Sequence, residues 1–320
     1  MSQSFHSHSP GRFYIERCER QGHKGFFVTE DVRDKASLNH EAVISLNFMR
    51  DPNVYVFRRH YRQGLRSHIM EVLKRIDVAK EMTGVEIDGI KWFPRAKPIK
   101  MLRIFRTKFK RLEEAIEEIG TVKMIEKYLG PDHIAASNEF LVDYLVGGKW
   151  DLLLCGLQEY VEGEVLDPWV FITRAHLAGL LARMNKGSGD KAETSMELRM
   201  QRVRIGVERF IEGVKRMVLE AGHVPDLAGE GNILLTPAGD VKLVDINNVS
   251  KVSFESRIEV DDKGYPVCDT SIKALSLLEQ KVLDRSIDMK ETIYRTFLDA
   301  QRMNEVRILQ EQFDSSMGYR

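Results

Sequence analysis

The spacing of apolar residues along the first third of the chain predicts a helical region. From Ala36 to about Val85 the apolar residues fall at helical intervals, with basic residues outside that stripe. Four residues define the stripe: Ile69, Val72, Leu73 and Ile76. A second helix is predicted where Leu112 to Ile119 repeat the intervals i, i+3, i+4 and i+7 between glutamates.

Strand signals surround these helical segments. Residues 12–30 (RFYIERCERQGHKGFFVTE) predict a hairpin around a glycine-containing turn, and residues 99–105 predict a further strand. Asn138 to Leu145 and Asp151 to Tyr160 predict an antiparallel pair joined at Gly147-Gly148-Lys149. The first half of the chain is therefore predicted to hold an antiparallel sheet.

The second half is predicted to be mainly helical, in Thr173 to Asn185, Glu193 to Gly222 and Ser271 to Gln312. Between the last two helices, NILL and VKLVD bracket the turn residues TPAGD, which predicts another hairpin over residues 232–245. The glycine-rich segment Lys186 to Asp190 predicts a loop. Together these elements predict an α+β fold, with residues 1–160 as an N-terminal part carrying a helical insertion near 37–85 and residues 161–320 as a helical part.

Composition narrows the class of protein. The 320 residues are 43% hydrophobic, which excludes a disordered chain, and 48 basic residues balance 48 acidic ones. Cys18, Cys155 and Cys268 lie far apart, which argues against zinc or disulfides and favours buried thiols in a reducing compartment. The sequence contains no secretory leader pattern and no long apolar run, so we expect a cytoplasmic protein without a membrane span.

Oxygen-bearing side chains that suit phosphoryl transfer cluster between residues 226 and 245. Asp226-Leu-Ala-Gly-Glu-Gly-Asn232 precedes the predicted hairpin, and Asp245-Ile-Asn follows it. This arrangement resembles the protein-kinase-like superfamily, whose catalytic loop D-L-x-x-x-N is followed by a hairpin and D-F-G. The thirteen positions from Asn232 to Asp245 match the family interval. The resemblance implies a two-lobed kinase-like fold, Asn232 and Asp245 as Mg²⁺ ligands, Asp226 at the position of the catalytic base, and ATP as the nucleotide.

The same resemblance assigns residues that hold the nucleotide. Lys100, in Pro-Ile-Lys-Met-Leu, is similar to the family's phosphate-gripping lysine, and Glu118 on the next helix is its implied partner. The fallback assignments are Lys97, Glu114 and Glu117. Leu157 to Gly163 resembles the hinge between lobes, where backbone groups of Glu159 and Val161 would meet adenine. Asp269 is the first residue of a segment that is similar to the family's helix beneath the catalytic loop. The interpretation of Asp269 as a helix cap is equally good.

Departures from the family pattern leave two functions open. Asp226 and Asn232 are six positions apart rather than five, Pro225 replaces the usual arginine or glycine, and the tail Asp245-Ile-Asn lacks glycine. No G-x-G-x-x-G lies shortly before Lys100, and no A-P-E follows Asp245. The first hypothesis is an ATP- and Mg²⁺-dependent phosphotransferase with an unknown acceptor. The alternative is a pseudokinase, which binds nucleotide or a protein partner without catalysis.

A third hypothesis is nucleic-acid or phospho-ligand binding, although the balanced net charge makes nucleic acid an unlikely general partner. It is based on cations interleaved with aromatic rings near residue 105. These residues are Arg103, Phe105, Arg106, Lys108, Phe109, Lys110 and Arg111.

Overall fold

The computed structural model describes residues 30–51, 53–64, 66–185 and 195–317, and the chain divides into two units. One unit comprises Met1–Lys97, Leu102–Phe109 and Glu139–Gly156. The other comprises Pro98–Met101, Lys110–Asn138 and Leu157–Arg320. The hairpin predicted over residues 12–30, the loop at 186–190 and Cys18 lie outside the described residues.

A five-stranded sheet of order β1-β2-β5-β7-β6 dominates the first unit. Its strands are β1 (Tyr55–Arg59), β2 (Ser67–Lys74), β5 (Lys100–Phe105), β6 (Ser137–Val146) and β7 (Lys149–Glu159). The strands predicted near residues 99–105, 138–145 and 151–160 are confirmed, as is the turn at Gly147-Gly148. Because a two-residue turn joins β6 to β7, that pair is antiparallel. The sheet, with the helical chain that follows it, confirms the α+β class.

Shorter elements flank the sheet strands of the first unit. They are α1 (His40–Ile44), α2 (Arg75–Thr83), β3 (Val85–Ile87) and β4 (Ile90–Trp92), the last two forming a hairpin. Asp88 and Gly89 form its turn with positive φ, a geometry that glycine adopts without strain.

The helix predicted from residue 36 to 85 is wrong over its central part. Residues 55–74 form β1 and β2, which pair antiparallel with Tyr55 opposite Lys74. Strand β2 buries side chains on both faces, including Val72 and Leu73. A strand covered on both faces carries a nearly continuous apolar run, and periodicity alone does not separate such a run from a helical stripe. Ile76, the last residue of the predicted stripe, lies on α2 and is exposed.

The first helix of the second unit is α3 (Leu112–Leu129), which confirms the predicted helix and extends it. Its later helices are α4 (Arg174–Asn185), α5 (Met196–Arg216), α6 (Val267–Leu283), α7 (Thr292–Phe297) and α8 (Ala300–Met317). The helix predicted over residues 271–312 is thus three helices. Helix α6 ends at Leu283, the following residue Asp284 has a positive φ, and the side chain of Arg204 donates to the carbonyls of Val282 and Leu283.

Small sheets lie between these helices. Strands β8 (Glu164–Val165), β10 (Ile233–Leu235) and β11 (Val241–Leu243) form one, and β9 (His223–Pro225) pairs with β12 (Val249–Lys251) in another. The hairpin predicted over residues 232–245 is confirmed, with Ile233 opposite Leu243. The core of this unit is formed largely by apolar residues of α5 and α6, among them Val207, Phe210, Leu275 and Leu278.

The two described cysteines, Cys155 and Cys268, are buried free thiols, as predicted. Burial raises the pKa of the Cys268 thiol to about 12, so it stays protonated at neutral pH. Neither cysteine has the character of a reactive nucleophile.

Candidate functional site

The segment that delivers Asp226 contains an unusual backbone feature. Helix α5 runs into a π-helical turn, Met217–Ala221, which ends at Gly222 in the left-handed conformation. Strand β9 follows directly, and the backbone N–H of Asp226 donates to the carbonyl of Asn248 at 2.9 Å. Asp226 is therefore held at the end of a paired strand. The π-helical turn before that strand is a second notable feature, because such turns are frequent beside functional sites.

The carboxylate of Asp226 is surrounded by neutral donors. Its Oδ1 accepts from the backbone N–H groups of Ala228 (2.9 Å) and Gly229 (3.2 Å). Its Oδ2 accepts from Nδ2 of Asn248 at 2.9 Å. Burial and the nearby Asp245 carboxylate raise the pKa of Asp226 even though these three donors act in the opposite direction. The net result is a carboxylate that binds a proton more readily than an exposed aspartate does.

Asn232 contacts the backbone of Asp226 within the same loop. Its Nδ2 donates to the backbone carbonyl of Asp226 at 3.0 Å. This bond orients the amide and leaves its Oδ1 as the oxygen available for a ligand. A Cβ on Gly229 would come within 2.5 Å of Nδ2 of Asn232, so a glycine is needed for the loop to close in this form.

The hairpin β10–β11 connects Asn232 to Asp245. The backbone N–H of Val244 donates to the carbonyl of Asn232 at 2.8 Å. Asp245 is the residue that directly follows this hydrogen-bonded position. Asp245 is close enough to Asp226 for its charge to raise the pKa of Asp226. The structure thus brings together Asp226, Asn232 and Asp245, the three residues that the sequence predicts for the candidate site.

The donor set of this cluster fits a hard divalent cation. Mg²⁺ prefers oxygen ligands and takes only one or two protein carboxylates when substrate phosphates supply the rest. The side chains that contact the Asp226 carboxylate are neutral, so a cation would relieve the repulsion between Asp226 and Asp245. Across the described residues, no group of three or more His, Cys, Asp or Glu side chains gathers at a metal-binding spacing. Oxygen atoms of a bound phosphate would therefore have to complete the coordination.

The nucleotide residues taken from the family resemblance lie on regular elements. Lys100 begins β5 and Glu118 lies in α3, and both are partly buried. Their ion pair stays a prediction, and so do the fallback assignments to Lys97 and Glu117. Glu114 contacts the start of its own helix, because its carboxylate accepts from the backbone N–H of Lys110 at 2.9 Å. That contact and the neighbouring Arg111 lower the pKa of Glu114.

The predicted hinge follows the end of β7. The backbone N–H of Glu159 donates to the carbonyl of Ala136 at 2.7 Å, so that N–H group is already engaged within the protein. The carboxylate of Glu159 accepts from the N–H of Ala136. Val161 lies between β7 and β8. Contact of Glu159 and Val161 with a nucleotide stays a prediction.

Several residues that support the loop were not selected from the sequence. Nε2 of the buried Gln158 donates to the carbonyl of Val244 at 2.8 Å, directly before Asp245. Ser271 on α6 accepts from the backbone N–H of Leu227 at 3.1 Å, and Nε1 of Trp169 donates to the carbonyl of Ala228 at 3.2 Å. A polar Gln158 inside the apolar strand LLLCGLQEY is the only one of these with a recognisable sequence signal.

The prediction that Asp269 caps a helix is wrong. Asp269 lies inside the first turn of α6, and its two oxygens accept from Nε (2.5 Å) and Nη2 (3.2 Å) of Arg302. Arg302 also donates to the carbonyl of Glu255 at 2.6 Å. Helix α6 contacts the loop of Asp226 through Ser271 instead, so Asp269 ties α6 to α8.

The aromatic and basic stretch near residue 105 does not form a base-stacking surface. Phe105 and Phe109 are buried, and so is Arg103. Arg106 donates to the carbonyls of Lys35 and Ala36, and Lys108 pairs with Asp34. Because the two rings are core residues, the observation that supported the nucleic-acid hypothesis is removed.

Comparison with known proteins leaves the family undetermined. No family model matches the chain, and no curated protein sequence matches it. Among solved structures the chain is similar to one described as "ROP18 kinase domain in complex with AMP-PNP and sucrose", with 10% sequence identity and a TM-score of 0.32. That likeness covers 82% of this chain and 83% of the other, and similarity at this level does not establish a family. Within the described residues, no helix combines the length and apolarity needed to cross a bilayer.

Proposed function

We propose that this chain is a protein-kinase-like phosphotransferase that binds a magnesium–nucleotide complex beside Asp226, Asn232 and Asp245. The observation that supports the proposal is the closed loop in which Asn232 donates to the Asp226 carbonyl, while burial and the Asp245 carboxylate raise the pKa of Asp226. The hairpin β10–β11 sets the distance between Asn232 and Asp245 through the bond from Val244 to Asn232. Such a set resembles the loop and D-F-G pair of the superfamily.

Each residue of the set has a distinct role in the proposed reaction. Asn232, through Oδ1, and Asp245, through its carboxylate, would hold Mg²⁺, which when bound neutralises charge on the transferring phosphoryl group. Asp226 would accept a hydrogen bond from the acceptor hydroxyl and orient it toward the phosphoryl group. The raised pKa of Asp226 makes it a better proton acceptor than an exposed aspartate. Lys100, aligned by Glu118, would bind the α and β phosphates.

Calorimetry with ATP and Mg²⁺ tests the metal site directly. Replacing Asp245 by Ala removes a carboxylate ligand, so we expect the affinity for Mg²⁺–ATP to fall at least about tenfold. Asp262→Ala is the matched control, because Asp262 is exposed and lies outside the loop. Equal binding by the wild type and Asp245→Ala would contradict the assignment, provided that both proteins show the same thermal unfolding.

A pseudokinase is the second candidate, and the environment of Asp226 favours it. Three donors already occupy the carboxylate, and the loop to Asn232 is one residue longer than in the family pattern. A pseudokinase would bind ATP with a thermal shift but consume none with any acceptor. ATP consumption by the wild type that disappears in Asp226→Asn would exclude the pseudokinase and support the transferase.

A further inference from the structure

Gln158 is a polar side chain that is buried near the end of strand β7. The buried residues Leu153, Leu154 and Cys155 precede it on this strand, and Gln158 itself is only 3% exposed. A buried amide lowers the stability of the fold unless its polar atoms find hydrogen-bond partners. The partners of this amide therefore explain why a polar residue is tolerated in an apolar strand.

The Gln158 amide faces two backbone carbonyls. Its Nε2 lies 2.8 Å from the carbonyl oxygen of Val244 and 3.5 Å from the carbonyl oxygen of Ala135. Both neighbours are acceptors only, so the nitrogen of the amide, and not its oxygen, must point toward them. The shorter of the two bonds ends on the residue that directly precedes Asp245.

This bond restrains the peptide unit that leads into Asp245. The carbonyl of Val244 and the N–H of Asp245 belong to one planar group, so holding the carbonyl restrains the rotation of the whole group. The N–H of Val244 donates to the carbonyl of Asn232 at 2.8 Å. Val244 is therefore held on one side by Asn232 and on the other by Gln158, directly before the carboxylate assigned to the metal.

Gln158 also connects the proposed metal site to the predicted hinge. The next residue, Glu159, donates from its backbone N–H to the carbonyl of Ala136 at 2.7 Å, and the N–H of Ala135 donates to the carbonyl of Leu243 at 2.9 Å. The segment around Ala135 is thus bonded both to the end of β7 and to β11. All of these residues belong to the second unit, so the connection lies within one compact body.

We propose that Gln158 is a positioning residue for the metal site, which holds the Val244 carbonyl and thereby keeps the Asp245 carboxylate in register with the hinge. This inference rests on the proposed function, because it assigns Gln158 a role in that same site. Gln158 acts through Asp245 and not on the metal or the nucleotide itself. A residue that only fills the core would alter stability, whereas this role predicts a loss confined to Mg²⁺-dependent binding.

Calorimetry of ATP binding, once with Mg²⁺ and once with EDTA, separates these two roles. Gln158→Met keeps the length of the side chain but cannot donate to Val244. We expect its affinity for Mg²⁺–ATP to fall at least about tenfold, as for other residues that orient metal ligands, and its affinity for ATP in EDTA to change by less than about twofold. Gln310→Met is the matched control, because Gln310 on α8 donates to the hydroxyls of Tyr265 and Thr270 and should leave both affinities unchanged.

A double-mutant cycle tests whether Gln158 acts through Asp245. In the Asp245→Ala background the carboxylate that Gln158 positions is already absent. Adding Gln158→Met to this variant should therefore lower the affinity for Mg²⁺–ATP by less than about a further twofold. A tenfold loss in both backgrounds would show that Gln158 acts independently of Asp245, and it would overturn the positioning role.

The same titrations separate failure of the positioning role from failure of the proposed function. If Mg²⁺ adds no affinity for ATP in the wild type, the proposed function fails and the role of Gln158 fails with it. If Mg²⁺ adds affinity in the wild type and equally in Gln158→Met, only the positioning role fails. Equal losses with Mg²⁺ and with EDTA would also overturn that role. Should thermal unfolding show that Gln158→Met does not fold, Gln158→Asn replaces it, because its amide is one methylene too short to reach Val244.

Discussion

Asp226 and Asp269 belong to the same unit but have opposite electrostatic surroundings. Asp269 is 1% exposed, and the guanidinium of Arg302 binds both of its oxygens. Asp226 contacts two backbone N–H groups and the neutral amide of Asn248, and burial together with the Asp245 carboxylate raises its pKa. One aspartate has its counter-ion within the protein, and the other has a like charge as its neighbour.

This difference separates a structural carboxylate from a functional one. A buried ion pair that is complete within the chain ties elements together and has no affinity left for a ligand cation. A carboxylate held by neutral donors beside a second carboxylate retains that affinity, and perturbed pKa values gather at functional sites for this reason. Of the next four predictions, the first two test whether the two aspartates behave in these two ways, and the other two concern the packing of the candidate loop and a buried histidine.

The largest expected effect is on turnover in Asp226→Asn. Loss of the proton acceptor should lower the rate of phosphoryl transfer by about 10²–10⁴-fold, the usual range for a general base. The free energy of unfolding should change by less than about 1 kcal/mol, because a neutral amide keeps an acceptor for the backbone donors and relieves the repulsion from Asp245. Steady-state kinetics and urea unfolding measure the two quantities, and wild-type turnover in this variant would contradict the role.

Asp269→Ala should affect stability rather than nucleotide binding. Removing the carboxylate leaves the buried guanidinium of Arg302 without its counter-ion, which costs about 3–5 kcal/mol of unfolding free energy. Urea unfolding measures the loss. In the double variant with Arg302→Met part of that loss should be recovered, and a single variant destabilised by less than 1 kcal/mol would show that the pair is not structural.

Gly229→Ala tests the packing of the loop that positions Asn232. The new Cβ would lie 2.5 Å from Nδ2 of Asn232, so the amide must shift, at a cost of about 1–3 kcal/mol. Affinity for Mg²⁺–ATP in calorimetry should fall with it. Gly179→Ala is the control, because its Cβ meets no atom within 4 Å and alanine should stabilise α4 by up to about 1 kcal/mol. Unchanged stability and affinity in Gly229→Ala would mean that the loop does not need this close contact.

The smallest expected effect is on the pH dependence of the unfolding free energy. It concerns His68, which lies in the first unit. Burial and the Arg106 guanidinium lower the pKa of His68. Nη2 of Arg106 donates to Nδ1, and Nε2 donates to the carbonyl of Val32 at 2.9 Å, so the ring is neutral. Below pH of about 6.5 the unfolded chain takes up a proton that the folded chain does not. The unfolding free energy should therefore fall as pH drops below that value, by at most about 1.4 kcal/mol per pH unit.

Urea unfolding between pH 7.5 and 5.5 measures this dependence. His68→Gln keeps a donor toward Val32 but has no proton to take up, so its stability should depend less on pH than that of the wild type. Identical pH profiles for the two proteins would show that other groups cause the acid sensitivity.

Elements with strong local signals were predictable from the sequence. The turn residues TPAGD between two apolar triplets indicated the β10–β11 hairpin, and the two glycines at 147 and 148 indicated the β6–β7 turn. The candidate loop was found in the same way, because Asp226, Asn232 and Asp245 are close in sequence.

Elements whose character depends on distant neighbours were not predictable. Strand β2 lost the alternation typical of strands because it is covered on both faces, and so the segment resembled a helix. Asn248, Ser271 and Gln158 reach the loop from 22, 44 and 86 positions away. Asn and Ser are common residues at any surface, and only folding reveals that these particular ones are donors or acceptors at the loop.

The sequence by itself determined the α+β class, most of the second-half helices and the three residues of the candidate loop, because periodicity, turn chemistry and short spacings are local properties. Tertiary structure decided which carboxylates have a counter-ion, since Arg302 lies 33 positions from Asp269 and no local pattern relates them. It also decided that the hairpin at residues 85–92 is exposed on its apolar face. Burial and charge pairing are properties of the whole fold, and they separate a structural side chain from one that is available for binding.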